Sequence, residues 1–277
     1  MNYDYVLADP TGNITVLITS QYTPETRSAM IQDAFAREPA CEQVGFVMPR
    51  QGKMIGLEMM AYEFCGNATL STAALLCHQN DLPAGNEDTV TVDSSGAGSP
   101  IEVRIVRLPD ITESGRSMPV YQGTLSMPVP RVSSFKGYPL VHFEGISHLM
   151  VPASDFTDAE AQSAVRVFAE ELGVPALGMM LISGDSRDPD QLLLADEVLI
   201  RPLVYVPGSG TLIWEHGCAT GSTATGYYRA HIYAGDVSTQ IKQPGGIIRV
   251  DAAVGQISMT ASVIFRSFHT HHRIPIS

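Results

Sequence analysis

The sequence predicts an α/β protein made of two similar lobes, and three observations predict it. Short stretches rich in β-branched residues recur along the chain, each closed by Gly, Pro, Asn or Asp. Helical segments are few and clearly punctuated. The two halves also repeat one unit. Cys65-Gly66-Asn67-Ala68-Thr69 and Cys218-Ala219-Thr220-Gly221-Ser222 each set a cysteine and small residues immediately before a helix, about half a chain apart.

In chain order, Asn13 to Ile18 is expected to be a strand leaving a turn at Pro10-Thr11-Gly12. Thr23-Pro24-Glu25 opens a helix to about Arg37, with a cap, a first-turn proline and an acid near the positive end. A strand over Gln43–Met48 precedes a helix over Asn67–His78, and strands follow at Thr89–Asp93 and Ile101–Leu108. Pro109, Gly115, Pro119, Pro128 and Pro130 mark a boundary. The division expected is an N-terminal lobe over residues 1–120 with Cys65, a C-terminal lobe over 121–265 with Cys218, and a tail over 266–277 that packs back on the first lobe. In the second lobe Leu149–Val151 is a strand, and Thr157-Asp158-Ala159-Glu160 is a capping box. The helix it starts carries Val165, Phe168, Ala169 and Leu172 on one face and ends at Gly173 and Pro175. Strands at Met179–Ile182 and Val198–Val206, a helix over Ser222–Tyr233 stopped by Gly235, and strands at Ile247–Val250 and Ile257–Ile264 complete the set.

Composition narrows the function. With 277 residues, 44% hydrophobic and 17% charged, the chain can bury a core and is neither disordered nor collagen-like. No apolar run reaches the roughly 18 residues of a membrane span, and the N-terminus carries acids where a signal peptide needs bases. A net charge of −12 argues against nucleic acid or an anionic membrane as partner. The expectation is a cytoplasmic globular protein whose partner is a small molecule, with a homodimer open to it. Four cysteines without a C-x-x-C pair or a secretory context predict neither a disulfide framework nor structural zinc. His269-Thr270-His271-His272 lacks acidic or cysteine partners, so no metal is expected.

The chemistry lies at the two repeated cysteines. A thiol at a helix N-terminus sits in the positive potential of unpaired N–H groups, which lowers its pKa, and the same N–H groups suit a carboxylate. Two such units can hold a substrate carboxylate with a thiol for each face of the adjacent carbon. One thiolate then removes the α-proton while the other thiol returns one. Buried structural cysteines are the plainer reading for a lone Cys, and it is the one expected for Cys41 and for Cys77 on an apolar helix stretch.

At these residues the chain resembles the diaminopimelate epimerase family. The resemblance rests on Pro10-Thr11-Gly12-Asn13, Cys65-Gly66-Asn67 and the Trp214-Glu215 pair upstream of Cys218. Cys41-Glu42-Gln43-Val44-Gly45-Phe46, Glu63 to Thr69, Gly178 to Leu181, Leu212 to Glu215 and Gln243-Pro244-Gly245-Gly246 are similar to the histidine racemases of staphylopine-type metallophore biosynthesis. The resemblance implies two pseudo-symmetric lobes, each a curved sheet around a central helix. It also implies a cofactor-independent racemase with Cys65 and Cys218 catalytic and L-histidine converted to D-histidine.

The departures bear on the substrate. The family's Glu-Arg pair becomes Glu215-His216, and its Gly-Asn-Pro-His turn becomes Gly145-Ile146-Ser147-His148. A guanidinium fork for a distal carboxylate is thereby lost. Glu42 is then either an acid facing a polar side chain such as imidazole or a solvated loop acid. By the resemblance Glu215 receives the α-ammonium, Asn13 and Gln43 match substrate-binding positions, and Gly66, Asn67, Ala219 and Thr220 form the helix starts. Asn13 and Gln43 equally suit turn capping, and His148 is either beside a catalytic thiol or a satisfied core histidine. The rivals are a racemase of other or many amino acids, a non-catalytic amino-acid-binding protein and a phenazine-biosynthesis-type isomerase. The last needs an acid where Cys65 stands.

Overall fold

A computed structural model describes residues 2–253 and 255–273. The chain divides into two compact units, one holding the residues up to Leu125 and those from Ala261 onward, the other Ser126–Thr260.

In the first unit β1 (Asn2–Pro10) turns into β2 (Thr15–Ile18). The turn has Thr11 and Gly12 at φ 54° and 82°, and Asp9 accepts the Gly12 N–H at 2.7 Å. Helix α1 (Pro24–Arg37) starts at Thr23 with the expected first-turn proline. β3 (Gln43–Gln51) runs parallel to β2 with Gln43 opposite Thr15, and β4 (Met54–Met59) is antiparallel to β3. Helix α2 (Gly66–Gln79) is buried on every side from Gly66 to Cys77. Its Gly, Ala, Ser and Thr residues make it slim enough for the inside of a curved sheet, and it packs on β1, β2, β4 and the next two strands. Those are β5 (Glu87–Ser94), parallel to β4, and β6 (Ile101–Glu113), antiparallel to β5.

β6 continues into β7 (Arg116–Ser126) as a long hairpin. The proline- and glycine-marked stretch from 108 to 135 is therefore mostly strand. Pro109 sits where the pairing shifts register between Leu108 and Ile111, the kind of bulge that tolerates a missing N–H.

The second unit opens with β8 (Arg131–Phe135), β9 (Tyr138–His142) and β10 (Ser147–Pro152). Then come α3 (Asp158–Leu172), β11 (Leu177–Ile182), α4 (Pro189–Leu193), β12 (Val198–Val206), β13 (Thr211–Trp214), α5 (Ala219–Tyr233), β14 (Val237–Gln243) and β15 (Gly246–Ala253). The sheet order is β15-β14-β12-β11-β10-β9-β8, with β13 paired to β12. Period-2 alternation sorts its faces. Leu149, Val151, Leu177, Met179 and Leu181 meet Val165 and Ala169 of α3, whereas Met180 and His148 on the other face meet α5. The last strand, β16 (Gln256–Arg273), pairs β15 with its first residues and β1 with its later ones. In the first unit β16 thus links β7 and β1, so that sheet closes around α2.

The capping box of α3 forms as expected. Thr157 accepts the Glu160 N–H at 3.3 Å, Glu160 accepts the Thr157 N–H at 2.8 Å, and Gly173 ends the helix at φ 62°. Thr157→Ala is expected to cost about 1 kcal/mol, read as a lower urea midpoint, while Thr157→Ser retains wild-type stability. Among the described residues no helix is long and apolar enough to cross a membrane.

Candidate active site

In the first unit Cys65 is the N-cap of α2, and its sulfur accepts the Ala68 N–H at 3.5 Å. Four polar side chains lead to that sulfur. Asn13 donates from Nδ2 to Glu42 Oε2 at 2.7 Å, and Gln43 Nε2 donates to Asn13 Oδ1 and to Thr15 Oγ1, the latter at 2.8 Å. Cys65 Sγ donates to Gln43 Oε1 at 2.9 Å. The chain has a single polarity: Asn13 turns its nitrogen to the Glu42 carboxyl, and Gln43 turns its nitrogen to Asn13 and Thr15 and its oxygen to the thiol. The strand register that sets Thr15 beside Gln43 assembles this group. Asn13, Glu42 and Gln43 are all buried, with Glu42 7% exposed, so the solvated-loop alternative for Glu42 does not hold. Gly66 and Asn67 are buried in the first turn of α2.

The second unit builds a matching cysteine differently. Cys218 is the N-cap of α5, its sulfur accepts the Gly221 N–H at 3.3 Å, and Gln243 Oε1 accepts the Cys218 N–H at 2.7 Å. Gln243 Nε2 donates to Ser222 Oγ at 2.8 Å. Gly221 has a steric reason: a Cβ there would lie 2.3 Å from Met180 Sδ and 3.0 Å from the thiol. Burial and the hydrogen-bonded Glu215 carboxylate hold the Cys218 pKa well above its ordinary value, opposed by the Gly221 N–H and the Thr220 hydroxyl. The helix terminus alone, which suggested a lowered pKa, is outweighed here by desolvation. Glu215, expected at the α-ammonium, therefore stands against Cys218. Ala219 and Thr220 are buried in the first turn of α5, and His148, fully buried, bonds Thr220 through Nε2 at 2.9 Å.

Thr15, Ser222, Gln243, Gly221 and Met180 also shape the two sites, although the sequence by itself assigned none of them a role; Gly221 and Ser222 stand in the repeated cysteine unit and Met180 in a block of the resemblance. Gln243 lies in a block that carries the family resemblance, so a signal for it existed. The other cysteines are buried: Cys41 donates to the Gln43 carbonyl at 3.0 Å, and burial pushes Cys41 up to about 11 and Cys77 up to about 12. Among the described residues no three His, Cys, Asp or Glu side chains gather as metal ligands, and His269 stacks on Tyr5 at 4.3 Å.

A family described as "Histidine racemase CntK N-terminal domain" matches residues 2–267. The chain belongs to the histidine racemase family. It is an isomerase that racemises an amino acid. A histidine racemase of Fusobacterium nucleatum subsp. nucleatum is 26% identical over 249 residues, covering 88% of this chain and 87% of that one. The histidine racemase of Staphylococcus aureus (strain Mu50) is 28% identical over 260 residues, covering 87% and 85%. Among solved structures, a predicted epimerase of Pseudomonas aeruginosa is similar at a TM-score of 0.65 and 14% identity, over 99% of this chain and 100% of that one. A hydroxyproline epimerase of Agrobacterium vitis matches at 0.60 and 13%, over 98% and 92%. A phenazine biosynthesis protein PhzF family member of Enterococcus faecalis also matches at 0.60 and 13%, over 99% and 100%. At such identities these structures share the fold with the racemase, which is the two-lobed α/β fold expected.

Proposed function

We propose that the racemase converts L-histidine and D-histidine into one another, with Cys65 and Cys218 as the two acid–base groups. The observation that supports this is the surroundings of each sulfur. Cys65 has an acceptor, Gln43 Oε1, for its thiol proton and a helix N–H, from Ala68, for its thiolate. Cys218 has the Glu215 carboxylate and the Gly221 N–H in the same two roles. Either sulfur can therefore gain or lose a proton with little rearrangement of its neighbours. Racemisation asks this of both groups, because the base in one direction is the acid in the other. A raised pKa also makes the Cys218 thiolate, once formed, a stronger base toward a weakly acidic α-proton.

The reaction begins with one sulfur as thiolate and the other as thiol. The thiolate takes the α-proton, the carboxylate accepts the developing negative charge near a helix N-terminus, and the thiol delivers its proton to the opposite face. In this proposal Glu42 meets the imidazole, and Gly66, Asn67, Ala219 and Thr220 serve the carboxylate. Histidine as substrate is supported by the names of the relatives and by the loss of the family's distal arginine.

The test is α-proton exchange in D₂O across the common L-amino acids and diaminopimelate. Losing a charge-assisted bidentate pair costs about 1.5–3 kcal/mol, so kcat/KM for diaminopimelate should fall at least about tenfold below that for histidine. Equal values, or a faster exchange of another amino acid, would reassign the substrate.

A further inference from the structure

His148 carries a polar atom that the two-thiol chemistry leaves unexplained. The ring is fully buried, its Nε2 lies 2.9 Å from Thr220 Oγ1, and its Nδ1 is buried with no hydrogen-bond partner among the described residues. Nδ1 is aimed at Gly178, where a Cβ would come within 2.3 Å of it, and the Met180 methyl lies on the same side. Thr220 Oγ1 is in turn 3.7 Å from Cys218 Sγ. His148, Thr220 and Cys218 therefore form a row in which one hydroxyl proton can point either way.

The unpartnered nitrogen decides the direction. A neutral imidazole carries its single N–H on Nδ1 or on Nε2. On Nδ1 it would point into an apolar surface of Gly178 and Met180. Orphaned buried N–H groups are rarer than under-satisfied acceptors. On Nε2 it has Thr220 Oγ1 to bond. The hydroxyl, having accepted there, keeps its own proton for the sulfur.

We propose that His148 is a positioning residue for Cys218: its Nε2–H donates to Thr220 Oγ1 and turns the Thr220 hydroxyl proton toward the Cys218 sulfur. The row then supplies a second donor for the thiolate beside the Gly221 N–H, and both counter the raising effect of the Glu215 carboxylate on Cys218. Burial lowers the His148 pKa to about 3, so the ring stays neutral and its polarity holds across the working range. His148 thus acts through Thr220 and touches no substrate. The catalytic consequence rests on Cys218 being an acid–base thiol, whereas the tautomer does not.

The direct test is nuclear magnetic resonance of nitrogen-15 histidine in the whole protein, with His148 assigned by its absence from His148→Gln. The expected result is an Nε2–H tautomer unchanged from mildly acidic to mildly alkaline pH. An Nδ1–H tautomer or an imidazolium would overturn the proposal. A second readout is the ultraviolet thiolate absorbance of Cys218 in a Cys65→Ser background, which needs no turnover. Thr220→Val should raise the Cys218 titration by about one to two pH units, the size of one hydrogen bond to a charged sulfur. Thr220→Ser should leave it in place, and His148→Phe should raise it only while Thr220 is present. Identical titrations for Thr220→Val and Thr220→Ser would also overturn the proposal. Failure of the two-thiol reading shows elsewhere, as racemisation that survives loss of a cysteine.

Discussion

Cys65→Ser and Cys218→Ser should each abolish racemisation while leaving histidine binding nearly intact. Each direction needs one thiolate and one thiol, and a serine hydroxyl stays protonated near neutral pH. Positioned acid–base groups contribute about 10²–10⁴-fold, so the loss should be at least of that order. The side chain that replaces the thiol is slightly smaller and fits the same N-cap, a position at which serine is itself favoured. Affinity should therefore fall by only about 1 kcal/mol, the worth of one neutral contact. Each variant should still exchange the α-proton of the one enantiomer served by its surviving thiol, visible as deuterium uptake without inversion. A single variant that racemises at the wild-type rate would remove its cysteine from the mechanism.

Gly96→Ala is expected to cost the first unit more stability than an ordinary surface substitution, and to damage Cys65 with it. Gly96 has φ +69°, and a Cβ there would lie 2.2 Å from the Phe64 nitrogen and 2.6 Å from the Glu63 carbonyl carbon. Both are backbone atoms, so neither can swing aside. The left-handed conformation costs an L-residue about 1–2 kcal/mol, and forced repacking adds about 1–3 kcal/mol. The loop is also the brace of the segment leading to Cys65, since Ser95 Oγ donates to the Glu63 carbonyl at 3.0 Å and accepts the Met59 N–H at 2.9 Å. Gly115→Ala is the control, because Gly115 has φ +78° and no atom of the described residues lies within 4 Å of a Cβ built there. Urea unfolding should show Gly96→Ala losing about 1–3 kcal/mol more than Gly115→Ala, with kcat falling only in the former. Equal midpoints would mean that the loop yields and does not brace the cysteine.

Much of the architecture was legible because it is written in local chemistry. Thr157 and Glu160 begin α3 and Gly173 ends it through their own capping and left-handed conformation, so neighbouring residues suffice to place that helix. The repeated Cys-plus-small-residue units marked the starts of α2 and α5 for the same reason, although α5 begins at Ala219, three residues before the expected Ser222. Strands were harder. β1, β4, β7, β8, β9, β13 and β14 were not anticipated, and the proline-marked stretch carries the β6–β7 hairpin. A proline disqualifies a strand only where its missing N–H is needed, and Pro109 occupies a register shift that does not need it.

The sequence by itself determined the two N-cap cysteines, the family and the absence of a distal arginine, since these are matters of residue type and order. Only the tertiary structure decided what surrounds each sulfur. Asn13, Thr15 and Gln43 meet through a parallel pairing between segments some 30 residues apart, and nothing in the local sequence announces that register. His148 reaches Thr220, 72 residues on, because β10 turns Leu149 and Val151 to one face and His148 to the other. In strands buried on both faces the sequence runs apolar throughout, so alternation is invisible until the partners on each side are known. The raised pKa of Cys218 is tertiary for the same reason. Helix position, a local property, lowers a thiol's pKa, but burial and Glu215 are supplied by the fold and prevail.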